Sequence, residues 1–481
     1  MLLLKRAYQV FFFIGLFLIP FNSDIPDWLG FLGELSADSS PIFFLIGFLF
    51  LFCYQCIIGK LYFPVQSKTY RLFLLFLVAI IITTLINLPS IVEYYYKQTS
   101  GIYRFIRQFI SVLISGVIFL YLFINVGRDY GIERFVLAVR KTFLYSFYIV
   151  FSYGMLEYAI IKLNLTFLTS ILDLYGYLPF VEVKFTHYME RLSSITYEPP
   201  ALGLYLITVS GFIFSYIFTS KKVTRFVPFA LLMLLAILSK SRTALVVTIL
   251  QAIAGVVFAF YKYKSFRNLF NKVLIFGSIA LVVLLVFFGK PIYEAGLERI
   301  ESLNFSKIDT KNNISAISNK SRIGIQLAML EVFKEKPIFG TGWGQQFYES
   351  RHHYPTWATR NNFEFRLFYL NQDLKSFPPG YNLYFRILVE TGIFGLFVFL
   401  FFLFSIVRTT LIVYKRGKEL NFITLILLVN FTGLLLNWFQ TDSMRIYGFW
   451  LSLAILILYK RHLDLKREDA EDDFSTQKEI E

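Results

Sequence analysis

Three arginines in this 481-residue chain stand in short polar stretches that border apolar helical runs. Arg191 lies in Glu190-Arg-Leu-Ser-Ser-Ile-Thr-Tyr-Glu-Pro-Pro200, Arg242 in Leu238-Ser-Lys-Ser-Arg-Thr-Ala244, and Arg322 in Asn319-Lys-Ser-Arg-Ile-Gly324. An arginine that opens a helix is opposed by the macrodipole, so an anionic partner is the economical explanation of Arg242. The plain alternatives are interfacial snorkelling for Arg242 and a solvated charge on an amphipathic helix for Arg322. Guanidinium groups bind phosphate bidentately through planar donors, so three of them converging on one cavity would make a polyanion site.

A base is offered by three places. Glu198 precedes Pro199-Pro200, and proline at a first helical position places Glu198 at or beside an N-cap, as either cap or functional carboxylate. The helix N-terminus and nearby arginines are expected to keep it ionised and to lower its basicity. Tyr381, with an ordinary pKa near 10, is suited to donate a hydrogen bond rather than to abstract a proton. His352-His353 titrate in a useful range, but adjacent loop histidines equally suit solvation or ligand contact.

Metal and cofactor chemistry finds little support. The outer loops carry no Asp-x-Asp pair and no histidine cluster beyond His352-His353, and no Walker A pattern is present. Cys53-Tyr-Gln-Cys56 has CxxC spacing but sits inside the apolar run from Ile42 to Ile58, where small lipid-buried residues are the simpler reading. Gly340-Thr-Gly342-Trp-Gly344 has the composition of a backbone nest for an anion, or of a plain turn.

The elements that must position these residues are transmembrane helices. With 56% hydrophobic and only 16% charged residues, against roughly a quarter charged in soluble chains, the composition implies an all-α polytopic membrane protein. It excludes disordered, collagenous and disulfide-rich classes. Apolar runs of about 17 to 25 residues predict twelve spans, near 7–22, 41–59, 70–88, 105–126, 142–162, 200–219, 225–239, 243–261, 271–288, 386–413, 421–439 and 445–459. Every second connector holds the lysines and arginines, among them Lys60, Lys68 and Arg71; Arg128 and Arg134; Lys221 and Lys222; and Lys415 and Arg416. The positive-inside rule puts those connectors and both termini in the cytoplasm. The net charge of +15 is thus a topology signal and implies no nucleic-acid partner.

The opposite connectors include an acidic first loop with Asp24, Asp27, Glu34 and Asp38, a loop at 163–199, and one of nearly a hundred residues at 289–385. Inside the last, Ile323, Leu327, Leu330 and Phe333 predict an amphipathic helix over Ser321–Phe333, with Arg322 at its start. The tail from Lys460, rich in both charge signs, is expected to be partly disordered. The organisation predicted is N-terminal helices at 1–162, a core at 163–459 including the loop 289–385, and a charged cytoplasmic tail at 460–481.

Four segments, at 191–202, 238–245, 320–347 and 380–396, resemble the O-antigen ligase and Wzy-type O-antigen polymerase group of bacterial membrane glycosyltransferases. The last two run Ser-Arg-Ile-Gly, later Glu-Lys-Pro-Ile-Phe-Gly-Thr-Gly-Trp-Gly, and Tyr-Asn-Leu-Tyr-Phe-Arg-Ile-Leu-Val-Glu-Thr-Gly-Ile-Phe-Gly. The resemblance implies a GT-C-like, metal-independent enzyme of the inner membrane that takes glycans from undecaprenyl pyrophosphate, with Arg191, Arg242 and Arg322 on the pyrophosphate. It adds membrane lipids, a flippase and a chain-length regulator as partners. Ligases of the group carry a histidine followed by Asn, Ser or Gln, nine residues, Gly, two residues and Gly. Here Tyr381 replaces that histidine while Asn382, Gly392 and Gly395 hold the frame. The expected function is therefore a polysaccharide repeat-unit polymerase that transfers the growing glycan to a lipid-linked repeat unit, with Glu198 as base, Arg191 and Arg242 catalytic, and Arg322, Tyr381, Asn382, His352 and His353 binding substrate. An O-antigen ligase or O-oligosaccharyltransferase of the same fold is the alternative, and a lipid-linked glycan transporter is the alternative of another class.

Overall fold

The computed structural model describes residues 1–183, 191–219, 223–262, 314–417 and 419–480. Its main helices are α1 (Leu2–Phe17), α2 (Ser40–Ile58), α3 (Lys68–Ile86), α4 (Gly101–Tyr130), α5 (Ile132–Leu163), α6 (Pro199–Thr219), α7 (Val227–Leu238), α8 (Arg242–Lys262), α9 (Ile314–Glu335), α10 (Leu383–Arg416), α11 (Asn421–Asn437) and α12 (Tyr447–Ile480). Strands are confined, among the described residues, to a hairpin of Tyr95–Tyr96 with Thr99–Ser100. The fold is that of an all-α polytopic membrane protein. Among the described residues, seven helices (α2, α3, α4, α5, α6, α8 and α10) are long and apolar enough to cross a bilayer. Of the other expected spans, α1 has 16 residues, α7 and α11 are shorter apolar helices, and α12 continues into charged sequence. The run at 271–288 and the loop portion 289–313 lie outside the described residues.

The outward faces are apolar, as a hydrocarbon solvent requires: Phe397, Phe401 and Phe404 of α10 are exposed there. Cys53 and Cys56 also lie exposed, on α2. Inside, helices meet through small residues and a few buried amides. The Gln251 side-chain amide of α8 donates to the Ile207 and Val429 carbonyls at 3.0 and 3.1 Å, and the Asn430 carbonyl oxygen of α11 accepts from the Gly211 amide at 3.0 Å. Such interhelical bonds are worth on the order of 1 kcal/mol each, and here they tie α6, α8 and α11 together.

α10 is broken. At Gly392 the backbone turns to φ 66° and ψ −170°, a region open essentially only to glycine. Breaking a helix in an apolar setting frees N–H and C=O groups that must find partners. The segment after α9 supplies them: Thr341 and Gly342 amides donate to the Val389 and Glu390 carbonyls at 3.0 and 2.8 Å, while Ile393 and Phe394 amides donate to Pro337 and Ile338 carbonyls at 2.9 and 3.2 Å. The Trp343 amide donates to Thr84 Oγ1 of α3 at 3.1 Å. The glycine-rich stretch is thus no anion nest, since these N–H groups already have protein acceptors.

Two further expectations are corrected. Arg322 does not open its helix, because α9 begins at Ile314, ahead of the apolar periodicity. The tail is not disordered from Lys460: α12 continues, stapled by Lys460–Asp464 at 2.5 Å, Arg416–Asp464 at 3.3 Å and the Lys466–Glu419 pair.

Gly392→Ala is expected to cost about 2 kcal/mol or more, because a Cβ there meets the Ile338 carbonyl. Thermal unfolding in detergent checks this against Gly30→Ala, whose Cβ meets nothing within 4 Å and which should leave the midpoint in place.

Candidate functional site

A cavity of about 670 Å³ opens at the loop-bearing end of the bundle, and Arg191, Glu198, Arg242, Arg322 and Tyr381 all line it. Its size lies within the range of small-molecule sites. Each residue arrives by a local device. The loop 191–198 is held by Glu157 of α5, fully buried, whose carboxylate accepts the amides of Ser193 at 3.3 Å and Ser194 at 2.8 Å. Glu198 itself caps nothing through its side chain; its backbone carbonyl accepts from Ala201 and Leu202 while Pro199 and Pro200 start α6. Glu198 is thus the N-cap of α6 by position, as expected, while its carboxylate is not used in capping and lines the cavity.

Arg242 comes from a tight turn with Lys240 at φ 51°. Ser241 Oγ accepts the Ala244 amide at 3.4 Å at the start of α8. That start presses on α6, where a Cβ on Gly203 would lie 2.8 Å from that of Ala244; the close approach sets Arg242 beside the Glu198 end of α6. Arg322 lies within α9, over the Tyr381 ring at 4.9 Å, with its Nη1 donating to Gln440 at 3.3 Å and its Nε buried without a partner. Tyr381 is held at φ 57°, a strained value for an aromatic residue. Its hydroxyl lies 2.5 Å from that of Tyr369, which reaches Glu364 at 3.4 Å.

The electrostatics differ from expectation at Glu198. Desolvation by the cavity walls pushes its carboxyl above the ordinary carboxylate value, against hydrogen bonding with Tyr197 and the charge of Arg322. The helix N-terminus and arginines thus do not make it a weaker base; enclosure wins. Tyr381 is also pushed up, first by burial, so its phenol stays protonated at neutral pH and can donate.

Three expected site residues lie elsewhere. Asn382 is buried and caps α10, its side chain accepting from the Phe385 amide at 3.2 Å. His352 and His353 do not line the cavity: Arg351 Nε donates to His352 Nε2 at 2.9 Å, and His353 lies 3.4 Å from Glu335. Burial, then Arg351, lowers the His352 pKa. Conversely, Asp38, Asp442 and Arg445 line the cavity and were not singled out. Arg445 sits between α11 and α12, at the start of an expected span, so an arginine bordering an apolar run was a signal there too. Among the described residues no group of three metal-ligating side chains occurs.

Residues 227–400 match the O-antigen ligase family. No curated protein matches the chain.

Glu157 is expected to act as a positioning residue. Glu157→Leu leaves the buried Ser194 amide and the half-buried Ser193 amide without an acceptor, a cost of about 1–3 kcal/mol, and should speed hydrogen exchange at Ser193 and Ser194 in the membrane-embedded protein, with Glu157→Gln milder. Unchanged exchange at those amides would remove Glu157 as the anchor.

Proposed function

We propose that this chain, whose residues 227–400 match the O-antigen ligase family, is a polysaccharide repeat-unit polymerase using glycans linked to undecaprenyl pyrophosphate. The observation that carries this reading is the convergence of Arg191, Arg242, Arg322 and Glu198 on one cavity, with a tyrosine at 381. In the transfer, an acceptor sugar hydroxyl attacks the anomeric carbon of the donor glycan. The bond to the pyrophosphate oxygen breaks, and the electron pair leaves on the pyrophosphate. Charge therefore develops on an oxyanion, which the guanidinium groups stabilise. The hydroxyl proton goes to Glu198, whose raised pKa makes it a better acceptor than an ordinary carboxylate. Tyr381 donates to a pyrophosphate or sugar oxygen.

A ligase that relies on a histidine at position 381 is disfavoured by Tyr381. A transporter would present unpaired backbone of a broken helix to its cargo. In α10 the gap is filled by residues 337–342 of the chain itself, which supports an enzyme. The remaining elements of the proposal are twelve spans, residence in the bacterial inner membrane, and both termini in the cytoplasm, with the cavity on the opposite side.

Reporter fusions after Tyr348 and after Leu465 should report opposite compartments; the same compartment for both sinks the topology. For the chemistry, purified protein supplied with a lipid-pyrophosphate repeat unit as sole substrate should yield a ladder of products. Arg242→Ala should abolish the ladder and Arg242→Lys restore little of it, since lysine lacks the bidentate fork. Wild-type kcat/KM should fall with acid through a limb set above the usual carboxylate range, because protonation removes the base. Glu198→Gln should retain donor binding, lose turnover and lack that limb. Normal turnover in Glu198→Gln excludes it as base, and single transfer to a foreign acceptor without a ladder indicates a ligase.

A further inference from the structure

A second, smaller cavity of about 280 Å³ adjoins the first, and Pro379, Asp442, Ser443 and Arg445 line both. Its walls bring together Arg104 and Arg107 from the first turns of α4, Arg386 of α10, Arg445 and Lys375. The two lining carboxylates do not neutralise this set. Glu34 pairs with Arg107 at 2.9 Å and reaches Arg445 at 4.0 Å, and Asp442 Oδ2 accepts the Gly380 amide at 2.6 Å. Arg386 is neutralised from behind by Glu390 at 3.1 Å. Arg104 forms no salt bridge among the described residues; its Nε donates to the Gly344 carbonyl at 2.5 Å and its guanidinium lies 3.6 Å above Phe377. Two arginines near a helix N-terminus oppose its dipole.

A second observation points to a ligand. Trp343 is 1% exposed and lines this cavity, yet its indole Nε1 has no hydrogen-bond partner, and a buried unpaired donor is costly. The Nε of Arg107 is likewise unpartnered. An oxyanion held in the cavity would offset the excess cation. The volume falls just under the range of small-molecule pockets, so it suits a phosphate-type head rather than an oligosaccharide.

We propose that this cavity is a second pyrophosphate site, which holds the head group of the second lipid-linked substrate while the first cavity holds that of the glycan donor. This rests on the polymerase reading, in which two lipid pyrophosphates must be held side by side; the shared wall sets them at a fixed separation.

The test is binding of inorganic pyrophosphate to the full-length protein in nanodiscs. Wild type should bind two equivalents. Arg242→Gln should weaken one and Arg104→Gln the other, each by roughly tenfold or more. Because Arg104 also contacts Gly344, Lys375→Glu, at an exposed position, serves as the variant that leaves the packing intact and should weaken the second equivalent alone. Undecaprenyl pyrophosphate added to the nanodisc should compete at both sites; competition at the first site only means that the second takes free pyrophosphate and overturns the lipid assignment. A single equivalent in wild type, or Lys375→Glu without effect, overturns the site. A wild type that builds ladders but binds one equivalent loses this inference and keeps the polymerase reading. Two equivalents without a ladder do the reverse.

Discussion

The backbone of a broken helix must be satisfied within the protein when no water is at hand, and the architecture of the loop-bearing end follows from meeting that demand at Gly392. The strand-like clasp of residues 337–342 on 389–394 fixes the end of α9 against the outer half of α10. That places Arg322 over Tyr381 on one side and Trp343 beside Arg386 on the other. Each cavity therefore takes part of its wall from one set of backbone hydrogen bonds. Arg322 and Tyr381 in the one and Trp343 and Arg386 in the other inherit their positions from it.

Gathering cations costs electrostatic energy that only partners or ligands offset. In the chain this is managed by distribution. Glu390 holds Arg386 in the core, Glu34 holds Arg107 and reaches Arg445, and Glu198 opposes Arg322 across the larger cavity. At Glu34 burial raises the carboxyl pKa, but Arg445 and Arg107 outweigh it and hold the group below its usual value. At Glu198 the balance tips the other way. Two carboxylates at one end of a bundle are thus shifted in opposite directions, Glu34 down beside its cations and Glu198 up.

Much of this was legible from the residues, and the gaps have physical causes. Arg191, Arg242, Arg322 and Tyr381 could be assigned to one site because arginines at the borders of apolar runs and a four-segment pattern are local signals. The convergence of Asp38 was not legible, because it depends on how a loop after α1 packs near α6 and α12, and Tyr447 donates to it at 2.9 Å. The sign of the Glu198 shift was missed because helix dipole and arginines are visible in sequence, whereas enclosure by distant walls is not. Asn382 was assigned to substrate although its place before an apolar helix is that of an N-cap. Gly340 and Gly342 were open between nest and turn, and only the partner backbone at Val389 and Glu390 decides between them.

A clasp made of main-chain groups is blind to side chains and sensitive to length. Ile338 and Phe339, whose side chains are exposed, can be exchanged within it without loss of a bond, whereas a Cβ on Gly340 would meet the Val389 carbonyl. One inserted or deleted residue would throw every donor out of register with 389–394 and move Trp343 and Tyr381 together. Position 381 lies outside the clasp, so its side chain can differ while the spacing from Asn382 to Gly392 and Gly395 is held. The clasp is a ruler, and the side chain at 381 is mounted beside it.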